Sequence, residues 1–163
     1  MFRPRKILHL SDLHIGEPHG RLTFLRRAAG RYDARNADRL RRIVARINGR
    51  PDWRECVVVV TGDLTDRSMQ REYDEAVAIL SGLLPPVVVM PGNHDVTSPA
   101  RLGMGYSAEG HARYRGLHRR VYEASADEPT INTGRPSFPR VHDYGAWRLI
   151  TLDSSAHDER GTL

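Results

Sequence analysis

The chain has 163 residues, 39% of them apolar and 28% charged, which suits one domain with a core and is too short for two of ordinary size. No stretch approaches the roughly 18 apolar residues that span a bilayer, and the apolar run 56–60 is strand-sized. A formal charge of +5 permits phosphate-rich partners, but Lys6 is the single lysine and the arginines are spread along the whole chain, so nucleic acid is not the favoured partner.

Compartment signals point the same way. The basic start, Met1-Phe2-Arg3-Pro4-Arg5-Lys6, is followed by an apolar stretch broken at once by His9, Ser11 and Asp12, unlike an export signal. Cys56 stands alone, which rules out an internal disulfide, and its place at the head of an apolar run argues for packing. The expectation is a single cytoplasmic domain over 1–163 with no membrane association.

In chain order, the first predicted strand is 6–11, with Ile7, Leu8 and Leu10 apolar. Leu40, Ile43, Val44 and Ile47 then recur at helical spacing, and Asn48-Gly49 before Pro51 stops that helix. Strand two, 56–61, is nearly all valine. A second helix carries Tyr73, Ala76, Val77, Leu80 and Leu84, opened by Asp66 or Ser68 as a cap and closed near Gly82. Strand three is 87–90, introduced by Pro85-Pro86. Such β-branched runs suit a sheet covered on both faces, and the strand-helix alternation builds a parallel α/β sheet through right-handed crossovers.

Beyond residue 95 the pattern loosens into a loop over 97–106, a helix over 108–123 with Tyr114, Leu117 and Val121 buried, and a second loop over 126–139. Residues 141–144 and 147–152 read as an antiparallel hairpin across Gly145-Ala146.

Three short blocks follow directly on the first three strands: Asp12-Leu13-His14, Gly62-Asp63 and Gly92-Asn93-His94-Asp95. Ligands gather at the carboxyl ends of parallel strands, so these residues can converge on one crevice. Each has a bland reading as well, because Asp and Asn are common in the turns after strands and a histidine can be an ordinary loop residue. The conjunction is what carries weight. Asp12, His14, Asp63, Asn93 and His94 offer carboxylate, amide and imidazole donors that suit Mn, Fe, Co or Zn better than Ca or Mg. Two such ions, about 3.5 to 4 Å apart, clamp a phosphate and hold a hydroxide as nucleophile.

At Leu10-Ser11-Asp12-Leu13-His14, Val60-Thr61-Gly62-Asp63-Leu64-Thr65 and Pro91-Gly92-Asn93-His94-Asp95 the chain resembles the calcineurin-like metallophosphoesterases, and 149–154, ending Leu-Asp-Ser, looks like that family's next core strand. The resemblance implies an αββα sandwich, in which helices flank the sheet layers. It also implies a centre of two divalent metal ions, with Asp12 and His14 on the first, Asp63 bridging both and Asn93 on the second. His94 would protonate the leaving oxygen, and Asp95 would orient His94 or stabilise the turn.

The family pattern also has later histidines, including a Gly-His-x-His block. Gly110-His111-Ala112-Arg113 holds the only Gly-His here and lacks the second histidine; His118, His142 and His157 read as surface or packing residues. The expectation is a domain truncated before these motifs, holding about half of a two-metal site. Three functions follow: a metal-dependent phosphoesterase acting on small phosphodiesters or phosphomonoesters such as cyclic nucleotides, a repair-type nuclease of the same family, and an incomplete fragment that self-associates through its unfinished sheet.

Overall fold

Among the described residues, Cys56–Val60 is the one strand buried along its whole length, because its alternate valines face two different layers. A computed structural model describes residues 3–18, 32–96 and 139–153, together with Leu25, Gly110, 112–114 and Gly116. Its elements run β1 (Lys6–Leu10), α1 (Arg35–Asn48), a 3-10 turn (Pro51–Trp53), β2 (Cys56–Val60), α2 (Gln70–Leu80), β3 (Val87–Val89), α3 (Asn93–Val96), β4 (Arg140–Asp143) and β5 (Arg148–Thr151). The expected loop over 97–106 lies outside the described residues, as do most of 126–139 and most of the helix expected over 108–123. His111, His118, Ser154 and His157 lie outside them too.

The three parallel strands stand in the order β1-β2-β3, with Leu8 opposite Val58 and Val58 opposite Val87. Right-handed crossovers that step twice in one direction place both intervening helices on the same face. Leu40, Val44, Tyr73, Ala76 and Leu80 accordingly pack with Cys56, Val58, Val60 and Val89. The opposite face, Val57, Val59 and Val88, is covered by Tyr144, Trp147 and Leu149 of the β4-β5 hairpin. Trp147 Nε1 donates to the Pro4 carbonyl at 3.1 Å, tying the hairpin to the start of β1. Helix layer, parallel sheet and antiparallel sheet thus lie in the order the αββα reading requires.

Four expectations need correction. β1 is an edge strand, so Ile7 is 51% exposed instead of buried. Ile43 is 39% exposed, since the contact face of α1 is the narrower stripe of Leu40, Val44 and Ile47. Leu84 falls past the end of α2 and is 63% exposed. Neither Asp66 nor Ser68 caps α2: the Glu72 carboxylate, in the helix's first turn, accepts the Met69 N–H at 3.2 Å and the Arg67 N–H at 2.9 Å, which satisfies two amides at the start of the helix.

Candidate metal centre

The loops that leave β1 and β2 continue side by side in the register of their strands. His14 N–H donates to the Asp63 carbonyl at 2.9 Å, Ile15 N–H to the Leu64 carbonyl at 2.9 Å, and Ile15 bridges Thr65. Within this paired segment Asp12, His14 and Asp63 adopt left-handed backbone, with φ of 55°, 41° and 51°. A residue with a Cβ gives up about 1 kcal/mol or more in that region, and such strain collects where surrounding bonds over-determine it. Three of the four left-handed non-glycine residues described are therefore expected metal ligands.

The turns after β2 and β3 meet backbone to backbone. A Cβ on Gly62, whose φ is 103°, would stand 2.5 Å from the Gly92 nitrogen, and one on Gly92 would collide with the Asp63 carboxylate and its backbone nitrogen. This contact brings the second and third blocks together. His94 N–H donates to Asp63 Oδ1 at 3.0 Å, leaving Asp63 Oδ2 on the side of His14.

His14 Nε2 lies 3.8 Å from Asp12 Oδ1 and 3.8 Å from Asp63 Oδ2, and one donor atom from each of the three falls within 4.8 Å of the others. Asp12 is open to solvent, with 69% of its side chain exposed, whereas His14 and Asp63 are largely enclosed at 20% and 18%. Asn93 is the exposed first residue of α3.

A second group joins His14, Asp66 and His94. Asp66 is fully buried, with Oδ1 at 4.0 Å from Nδ1 of both histidines, whose rings meet edge to face at 4.7 Å. His94 Nδ1 lies 2.7 Å from the Asp66 carbonyl oxygen, which can only accept, so Nδ1 carries the ring proton and Nε2 the lone pair in the neutral ring. Asp66 was expected at a helix cap. Its place three residues after Asp63, directly past the second motif, is the signal that could have marked it.

Asp95, expected to orient His94 or to hold the turn, is completely buried. Its carboxylate accepts N–H bonds from Leu64 at 3.2 Å, Thr65 at 2.9 Å and Gly92 at 2.9 Å, and the Thr65 hydroxyl at 3.0 Å. These bonds hold the turn. Burial pushes its pKa up to about 6, the three backbone bonds oppose that rise, and the charge of Asp63 adds to it. The ring of His94 is fixed by Asp66.

These residues fit a divalent cation on two counts. Three carboxylates, Asp12, Asp63 and Asp66, crowd two imidazoles, an excess of negative charge that a cation offsets. His14 Nδ1 is buried without a hydrogen bond and faces Asp66. A histidine whose Nδ1 faces a carboxylate and whose Nε2 stands between two others has the arrangement of a metal-ligating imidazole.

The family model for calcineurin-like phosphoesterases matches residues 5–160. A protein named as a probable cyclic nucleotide phosphodiesterase from Rhodopseudomonas palustris is 37% identical over 91 residues, and the glycerophosphodiester phosphodiesterase GpdQ of Enterobacter lignolyticus is 36% identical over 93. Each match takes in 55% of this chain and spans 29% of the relative's own length.

Proposed function

The chain belongs to the calcineurin-like phosphoesterases, and from that premise we propose that its strand-end crevice is a metal-dependent phosphoesterase site for small phosphodiesters or phosphomonoesters, cyclic nucleotides among them. The observation that carries this reading is the convergence of Asp12, His14 and Asp63 from two strand ends. Asp12 and His14 would hold a first ion, Asp63 would lie between two, and Asn93 would serve the second, with Mn, Fe, Zn and Co as the candidate metals. When bound, such ions neutralise phosphoryl oxygens and lower the pKa of water.

The chain's own residues then have separable tasks. Water attacks phosphorus and gives up a proton to solvent, the ester P–O bond breaks, and the leaving oxygen takes a proton from protonated His94 at Nε2, since Nδ1 is engaged with Asp66. Asp63 keeps its orientation through the His94 N–H. Asp95 holds the turns after β2 and β3 at fixed separation without touching the substrate.

Small esters are favoured over nucleic acid by the pairing of the arginines. Arg35 lies 3.5 Å from Asp33, Arg41 2.8 Å from Asp38, and Arg50 3.1 Å from Asp52, so part of the basic surface is already neutralised. No helix among the described residues is long and apolar enough to cross a membrane. Self-association through the outer face of the hairpin, where Val141 and Ile150 are more than half exposed, and a cytoplasmic location belong to the same proposal.

The test is hydrolysis of bis(p-nitrophenyl) phosphate with Mn2+, comparing the chain with Asp63→Ala. Turnover that depends on metal and is abolished in the variant supports the reading. Absence of turnover, or equal turnover in both, overturns it.

A further inference from the structure

The helical turn at 112–114 reaches two of the three loops of the centre. Tyr114, buried at 1% exposure, donates its hydroxyl to the Val89 carbonyl at 3.2 Å, where β3 ends and the Gly92-Asn93-His94 block begins. Its neighbour Arg113 donates from Nη1 to the Ser68 carbonyl at 2.8 Å. One turn therefore grips the end of β3 and the loop after β2 together.

Ser68 is an unusual place to be gripped. It is fully buried, and its φ of 54° lies in the left-handed region without the excuse of glycine. Its N–H donates to Thr65 Oγ1 at 3.2 Å and its hydroxyl donates to the Asp95 carbonyl at 2.8 Å, so with Arg113 on its own carbonyl every polar group of the residue is engaged. A conformation that costs about 1 kcal/mol or more persists only while such bonds over-determine it. Two residues upstream, the Asp66 carbonyl receives His94 Nδ1.

We infer that Arg113 is a positioning residue for His94: by holding the Ser68 carbonyl it fixes the 66–68 turn, and so keeps the Asp66 carbonyl where it dictates which ring nitrogen of His94 carries the proton. Without that bond the Ser68 backbone relaxes from its left-handed state, the Asp66 carbonyl withdraws, and the ring is free to carry its proton on Nε2. A neutral ring protonated there has lost its defined orientation toward the leaving oxygen. The consequence for turnover rests on the proton-donor role proposed above, whereas the consequence for the ring does not.

The experiment is imidazole 15N correlation spectroscopy on the full zinc-loaded chain at a pH where the ring is neutral, with Arg113→Met, which keeps the apolar stem without a donor, and Arg113→Lys, which keeps one. The wild-type His94 is expected in the Nδ1–H form. Arg113→Met is expected to lose that signal in favour of the Nε2–H form, and Arg113→Lys to restore it. Should Arg113→Met not fold, Arg113→Leu, which also lacks a donor, is read in the same way. An unchanged Nδ1–H signal in the folded variant overturns the inference. In turnover, a lost proton donor hurts poor leaving groups most, so kcat for an alkyl phosphodiester is expected to fall about 10- to 100-fold more than kcat for a p-nitrophenyl ester, with KM little changed. Equal losses on both esters would also overturn it. If wild type cleaves neither ester, the functional reading fails while the ring signal still decides the role of Arg113.

Discussion

Thr65 binds the Asp95 carboxylate twice, through its backbone N–H at 2.9 Å and its hydroxyl at 3.0 Å, and both bonds end on the same oxygen, Oδ1. The other oxygen takes Leu64 and Gly92. One buried side chain thereby joins the loop after β2 to the loop after β3. Asp95→Asn replaces one accepting oxygen with a donor that faces N–H groups. It is expected to lower unfolding free energy by about 2 to 4 kcal/mol, read from urea denaturation with an unchanged m-value.

The glycine contact gives a sharper contrast. Gly62→Ala and Gly92→Ala each place a methyl against backbone atoms of the facing turn, and relief requires the two loops to part. Loss of about 3 kcal/mol or more is expected, together with loss of metal binding. A Cβ at Gly116 would meet nothing within 4 Å, so Gly116→Ala is expected within about 0.5 kcal/mol of wild type. Thermal melts of the three variants side by side check both statements.

Metal binding links to stability, because an ion that binds only the folded chain stabilises it by about 2.7 kcal/mol at a hundredfold excess over its Kd. Zinc is expected to raise the melting temperature of wild type and to leave that of Asp63→Ala unchanged. Asp66→Asn keeps the shape but loses the charge 4.0 Å from both imidazoles, and calorimetric zinc affinity is expected to fall about 10- to 100-fold.

Glu72 supplies the pH prediction. Burial raises its pKa, the backbone bonds from Arg67 and Met69 oppose the rise, and the charge of Asp66 adds to it. A carboxyl whose folded pKa lies above its unfolded value contributes stability that is fully present below about pH 4.3 and lost as pH rises through the folded value. Glu72→Gln removes that dependence. Melts across this range are expected to shift progressively in favour of the variant as pH rises; a shift the other way contradicts the assignment.

Much of this architecture was legible in the chain. The valines of β2 announced burial on both faces because their unbroken run leaves no polar side, and the convergence of Asp12, His14 and Asp63 was legible because each sits within a few residues of its own strand. What sequence could not reveal depends on distant partners. Ile7 looks like a core residue until β1 proves to be the edge, and Leu84 continues a helical spacing that the chain abandons after Leu80. Asp66 resembles a cap until the histidines approach from positions 14 and 94. Nothing around Arg113 announces a bond to Ser68, 45 residues away.

With no side chain on Gly62 or Gly92, the second and third blocks meet main chain to main chain where those two glycines face each other. Main-chain atoms do not change with sequence, so the spacing between Asp63 and the Asn93-His94 pair behaves as a ruler of fixed length. Under the proposed function, selection for a new ester would have no means of stretching that ruler one residue at a time. It would act on other residues around the crevice, and substrate range would drift while the distance between these two blocks stays put.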